Sequence, residues 1–191
     1  LSSFLFNESV IERVKADYVV IVPSYMVFAQ NYATLLDEHI ASGADITLLY
    51  HKVSNADVAY LNTEALKLDD EKTVLGIETN IGGKKTKNIF MNSYIMKKDL
   101  FLQLIHEAKK KSSMYNLFNI VNDKAASEEL TIKGVQHEGF FAAITDFKSY
   151  FDANLTLTDI KTASSLFNNK WPIYTRTNDA CPTHYFEGAI A

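Results

Sequence analysis

The run Val19-Val20-Ile21-Val22, stopped by Pro23, constrains this chain more than any other feature. Consecutive apolar, β-branched residues suit a strand buried on both faces, as in a parallel sheet. A helix is expected from about Asn31 to Ala41, with Tyr32, Leu35, Leu36 and Ile40 on one face and Ser42-Gly43 as its stop. Ile46-Thr47-Leu48-Leu49-Tyr50 reads as the next strand. Strand, helix and strand joined by short loops predict α/β architecture. In such sheets ligands lie beyond the carboxyl ends of strands, which here means Ser24, Tyr25 and Met26.

The flanking pattern fills in the rest. Ser9 with Glu12 reads as a capping box for an opening helix whose apolar edge is Val10, Ile11 and Val14. Lys52 to Lys87 is polar and suggests short strands and a hairpin with Gly82-Gly83 at its tip. Ile89 to Met96 looks like a strand, followed by helices over Lys98 to Lys109 and Leu117 to Val121. Leu130 to Val135 and Gly139 to Ile144 look like further strands. Asp146 caps a last helix expected to turn Phe147, Tyr150, Phe151 and Leu155 toward the core. Beyond Leu166 the chain reads as extended and rich in turns.

Several function classes are disfavoured at once. A net charge of -4, with no concentrated basic face, gives no footprint for nucleic acid. The single cysteine, Cys181, permits no internal disulfide, which favours a reducing, cytoplasmic setting. No apolar run approaches a membrane span. The five histidines are not spaced as metal ligands on a helix face, and no nucleophile elbow occurs. The absence of a starting Met suggests an excised piece of a longer protein.

A family resemblance takes the reading further. Val19 to Val22, then Ser24-Tyr25-Met26-Val27-Phe28-Ala29-Gln30-Asn31-Tyr32, then His39 to Thr47 resembles the glucose-1-phosphate adenylyltransferases of bacterial glycogen synthesis. That family reads strand, G-D-H-I-Y-x-M-D-Y, then a helix with H-x-x-x-G-A-D-x-T. Phe90-Met91-Asn92-Ser93-Tyr94-Ile95-Met96 resembles its S-M-G-I-Y-V-F strand. Gly139 to Leu157 resembles G-Y-W-x-D-V-G-T-x-x-x-Y-x-x-A-N-x-x-L, and Trp171-Pro172-Ile173-Tyr174-Thr175 resembles the W-P-I-Y-T that precedes a left-handed β-helix. The resemblance implies a nucleotidyltransferase fold (Rossmann-like, GT-A-type): a mixed sheet flanked by helices, here lacking its first strand and its β-helix. Residues 1-160 would be the later part of that domain and 161-191 a linker toward the absent β-helix.

The departures from the family pattern fall at the metal. The two metal-binding aspartates align with Tyr25 and Ala143. A Mg²⁺-type ion needs hard oxygen ligands, preferably anionic, and nucleotidyl transfer depends on it to neutralise phosphate charge. The resemblance therefore implies no catalytic or metal residue in this chain and no cofactor of its own, with Mg²⁺ serving a catalytic partner. A residual sugar-phosphate pocket would involve Ser24, Phe90, Tyr94, Tyr115 and Phe141. The closest likeness is to the GlgD-type regulatory subunit, whose partner is a catalytic homologue in a heterotetramer and whose control involves a small-molecule effector. Two alternatives stand beside it: a competent sugar-phosphate nucleotidyltransferase using Asp146 or Asp123, and a non-enzymatic sugar-phosphate sensor or scaffold.

Overall fold

The computed structural model describes residues 1–167 and 172–173. Along the chain run α1 (Ser2–Phe6), α2 (Glu8–Arg13), β1 (Tyr18–Ile21), β2 (Met26–Phe28), α3 (Tyr32–Ser42), β3 (Ile46–Val53), β4 (Glu64–Leu68) and β5 (Val74–Thr79). They continue as β6 (Lys87–Lys97), α4 (Lys98–Lys111), α5 (Leu117–Ala126), β7 (Ile132–Gln136), β8 (Phe141–Ala143), α6 (Phe147–Thr156) and α7 (Ile160–Leu166). The chain divides into two compact units. The first comprises Leu1–Val22 and Tyr32–His137, the second Pro23–Asn31 and Glu138–Ala191.

The first unit is a mixed sheet in the order β5-β4-β6-β3-β7, with β1 also paired to β6. The long strand β6 is its hub. One edge of β6 pairs antiparallel with β3, and the other takes β1 and, at Ala65↔Ile89, β4. β3 and β7 are parallel, from Ile46↔Ile132 to Tyr50↔Gln136. Because β1 and β3 both oppose β6, they are parallel to each other with β6 between them. The strand–helix–strand reading holds, but the expected parallel neighbour of β1 does not. Its ladder is antiparallel, and Val20 is 43% exposed where burial on both faces was expected. A β-branched run reports fit to a pleated surface, and that fit is equally good on a half-covered strand.

Alternation fixes the core. Ile46, Leu48 and Tyr50 of β3 and Phe90, Tyr94 and Met96 of β6 pack with Phe101, Leu104 and Ile105 of α4 and Leu117, Ile120 and Val121 of α5. Lys109, Lys110 and Lys111 close α4 at its negative dipole end. α5 begins at an Asn116–Asn119 capping box, with the Asn116 side chain accepting from the Asn119 amide at 3.0 Å.

Some local expectations are corrected. The N-cap of α2 is Asn7, so Ser9 sits inside the helix, where its carbonyl accepts from Arg13 Nε at 2.8 Å. Of Val10, Ile11 and Val14, only Ile11 packs on the core. α3 buries Leu35 and His39 while Ile40 faces water. The hairpin of the polar stretch is β4–β5, turning at Asp69 to Thr73 with Lys72 at φ 61°. Gly82-Gly83 is instead part of the connection from β5 to β6, strands that β4 separates.

In the second unit β2 and β8 form a two-stranded antiparallel ladder, Met26↔Ala143 to Phe28↔Phe141. Asp146 caps α6 as expected, accepting from the Ser149 amide at 2.7 Å. The apolar side of α6 is not buried: Phe147 is 81% exposed, and Tyr150, Phe151 and Leu155 are exposed too. Amphipathic spacing marks a face that can be covered without saying by what. α7 occupies the start of the 161-191 stretch expected to be a linker, and buries Ala163 and Leu166. The remainder of that stretch, with Cys181 and all of the Trp171–Thr175 motif except Pro172-Ile173, lies outside the described residues.

Candidate functional site

The two positions that the resemblance aligns with metal-binding aspartates come together in the second unit. Met26 faces Ala143 across the β2–β8 ladder, and the Ile144 amide donates to the Tyr25 carbonyl at 2.8 Å. Tyr25 and Ala143 therefore sit within one residue of cross-strand register. Ala143 is buried, whereas Tyr25 is 38% exposed and so is not the core filler that its aromatic character suggests. These residues do not fit a Mg²⁺ ion. Alanine has no donor atom, and a phenol is neutral at physiological pH.

Two other carboxylates could be recruited only at the expense of existing bonds. Asp146 is the α6 cap, and the Ser149 amide bound to it holds its carboxyl below the ordinary 3.8. Asp123, in the first unit, accepts from Lys111 Nζ at 2.7 Å and from the Tyr115 hydroxyl. Those bonds, that of Lys111 first, lower the Asp123 carboxyl. The same carboxylate, as acceptor, raises the Tyr115 phenol and the Lys111 ammonium. Among the described residues no three His, Cys, Asp or Glu side chains cluster as metal ligands.

The five residual-pocket positions are divided. Ser24 and Phe141 belong to the second unit; Phe90, Tyr94 and Tyr115 belong to the first. Phe90 and Tyr94 meet edge-to-face at 5.2 Å between ring centroids, and both are core residues, Phe90 with no exposed surface. Phe90, Tyr94 and Met96 share the core with α4 and α5, which places a phenylalanine there in packing. Tyr115 lies part-buried against the same core, its hydroxyl on Asp123.

The His39–Thr47 motif has a structural job that sequence reasoning did not assign. Gly43 ends α3 at φ 64°. His39 Nδ1 lies 2.7 Å from Thr47 Oγ1, tying α3 to β3. Asp45 Oδ2 accepts from the Thr131 amide at 2.8 Å, tying β3 to the segment entering β7. Tyr18 of β1 stands edge-on to the His39 ring. Beside this clasp, at the amino end of β3, a cavity of about 260 Å³ is lined by Tyr18, His39, Gly43, Asp45, Lys97 and Leu100.

Burial holds His39 below its ordinary 6.5, Asp45 pulling it up and Lys97 pushing it further down. The folded chain then binds fewer protons here than the unfolded one, so this contribution is complete above 6.5 and is lost as pH falls below it. Wild type is expected to lose more of its urea midpoint between pH 7.5 and 5.5 than His39→Gln does. Equal losses would assign the acid sensitivity elsewhere.

No family model matches the chain. It is 22% identical over 182 residues to a glucose-1-phosphate adenylyltransferase of Halalkalibacterium halodurans, covering 93% of this chain and 46% of that protein. It is 25% identical to the enzyme of that name from Novosphingobium aromaticivorans (94% and 46%) and 24% identical to that from Lachnospira eligens (94% and 41%). The chain thus spans about half the length of the curated relatives it matches. Among solved structures, the crystal structure of HddC from Yersinia pseudotuberculosis superposes with a TM-score of 0.60 at 14% identity, over 76% of this chain and 58% of that one. The mixed α/β sheet is compatible with a nucleotidyltransferase fold, and the similarity to glucose-1-phosphate adenylyltransferases runs along nearly the whole chain. No helix among the described residues is long and apolar enough to cross a membrane.

Proposed function

We propose that this chain belongs to a regulatory subunit of an ADP-glucose-forming enzyme and performs no nucleotidyl transfer itself. The observation that carries this reading is the β2–β8 ladder. Tyr25 and Ala143, the two positions that the resemblance aligns with metal-binding aspartates, lie within one residue of its register. The reaction joins ATP and glucose 1-phosphate into ADP-glucose with release of diphosphate. Its phosphate charge has to be neutralised as the new bond forms, which is work for a divalent ion. That ion is held by the catalytic partner, a homologue in a heterotetramer. The present chain acts by contacts that differ between two states of the partner, which is what any shift of its equilibrium requires. A small-molecule effector bound to either subunit would bias the same equilibrium. The setting is cytoplasmic.

The competing reading, a competent transferase with substitute ligands, is weakened by the commitments of Asp146 to its helix cap and Asp123 to Lys111 and Tyr115. The test mixes the full-length protein with the catalytic homologue of its own genome and measures ADP-glucose formation, each protein alone as control. The expected result is silence alone and a changed rate or effector response in the mixture. Mg²⁺-dependent turnover by this protein alone would overturn the proposal, and silence with no effect on the homologue would favour a separate sensor or scaffold.

A further inference from the structure

The cavity beside the His39–Thr47 clasp in the first unit carries both signs of charge in its lining, and the nucleotidyltransferase reading uses neither. The negative part is the carbonyl end of α3, which stops at Gly43, together with the Asp45 carboxylate. The one basic side chain in the last turn of α3 is His39, which burial holds below its ordinary value. Asp45 Oδ2 accepts from the Thr131 amide, while Oδ1 has no partner among the described residues. The positive part is Lys97, the N-cap residue of α4, a helix start that no side chain caps. Lys97 forms no ion pair among the described residues, with Asp45 or with any other carboxylate.

His39 gives a second, independent sign of a ligand. It is 3% exposed, and its Nδ1 is bonded to Thr47 Oγ1. Thr47 is buried too, and its hydroxyl has no other partner among the described residues, so it donates to Nδ1 and leaves the imidazole proton on Nε2. That Nε2 has no partner within the described residues. No fully buried side-chain nitrogen or oxygen among them is left unsatisfied, so Nε2 opens into the cavity that His39 lines.

We propose that this cavity binds a free α-amino acid with an apolar side chain. Such a ligand carries an ammonium and a carboxylate on one carbon. The ammonium meets Asp45 Oδ1 and the carbonyl end of α3; the carboxylate meets Lys97, the His39 Nε2 proton and the uncapped start of α4. A simple anion would be repelled by Asp45, and a simple cation by Lys97. Ile40, Leu100 and the ring of Tyr18 give the side chain apolar surface. The volume of about 260 Å³ falls below the roughly 300–1,000 Å³ of sites for drug-sized molecules, which suits a ligand this small.

The test titrates the full-length protein by calorimetry with L-leucine, L-isoleucine, L-valine and L-methionine in turn. Saturable binding of at least one, at one per chain, is expected. For the tightest of them, the analogues lacking the ammonium or the carboxylate should bind about tenfold more weakly or worse, since each forfeits a hydrogen bond between charged groups. Lys97→Gln and Asp45→Asn should each weaken binding by a similar factor. Both positions are exposed, and Asp45→Asn still accepts from the Thr131 amide, so an unchanged circular dichroism spectrum is expected of each. Saturable binding of none of the four, equal binding of either analogue, or undiminished binding by either variant overturns the proposal. It does not rest on the regulatory reading, which ADP-glucose formation tests separately.

Discussion

Phe90→Ala is expected to lower the unfolding free energy by about 3–5 kcal/mol, the range for truncating a buried phenylalanine. A domain of this kind has only about 5–15 kcal/mol in total, so the variant would sit close to unfolding at 37 °C. The size follows from position. Phe90 has no exposed surface, lies on the hub strand, and belongs to the core that β3 and β6 share with α4 and α5. Its edge-to-face meeting with Tyr94 adds about 0.5–1.5 kcal/mol beyond area burial. Val20→Thr on half-exposed β1 is the control and should stay within about 0.5 kcal/mol. Urea unfolding of both variants reads the difference. A cost below about 1 kcal/mol for Phe90→Ala would mean that the ring lines a space the protein can open, as a pocket wall would.

Most elements were legible because they carry a local signature; α1, β2, whose Met26 was expected in a loop, and α7 were not. Asp146 announces α6, Gly43 ends α3, and the β-branched runs mark strands whose bounds fall within a few residues of those expected. What the pattern cannot carry is the partner. β1 was read as a parallel, doubly buried strand because apolar continuity reports a favourable surface and not the direction of its neighbour. The spacing of Phe147, Tyr150, Phe151 and Leu155 is identical whether the face is covered or bare, and in this chain it is bare. His51 and His137 are separated by 86 positions and meet only because β3 and β7 are adjacent and parallel.

The candidate site rests on a different kind of signal. Nothing local in Tyr25 or Ala143 points to a metal; only the family resemblance made their identity informative. The ladder then gives that alignment physical content, since two positions more than a hundred residues apart arrive within one residue of cross-strand register. In the sequence the His39–Thr47 motif carries only the family resemblance; its bonds appear in the fold. Those bonds give a local reason for its spacing: a helix stop at Gly43 brings His39 back over Thr47 and leaves Asp45 free to reach Thr131.

Asn80→Ala is expected to cost about 1–3 kcal/mol, an effect out of proportion to a side chain just beyond β5. Asn80 is fully buried and serves as the internal scaffold of the 54–63 loop. Its Nδ2 donates to the carbonyls of Ala56 and Tyr60, both at 2.9 Å, and more weakly to Ala59 at 3.3 Å. Its Oδ1 accepts from the Gly82 amide at 3.1 Å, and its own amide donates to the Thr63 carbonyl at 2.7 Å. The loop needs such support, because Tyr60 and Asn62 both sit at positive φ. Truncation leaves the Ala56 carbonyl without its donor in a fully buried place, and that loss dominates the cost. Asn80→Asp separates the two halves of the amide. It keeps an acceptor for Gly82, removes both donors and places a carboxylate in the interior, so it should cost at least as much as alanine. Urea midpoints rank the variants, and hydrogen exchange at the Asn62 amide, which donates to the Asn80 carbonyl at 2.9 Å, reports whether the loop opens first. An Asn80→Ala midpoint equal to wild type would mean that water replaces the amide, and the loop would then owe its shape to backbone bonds alone.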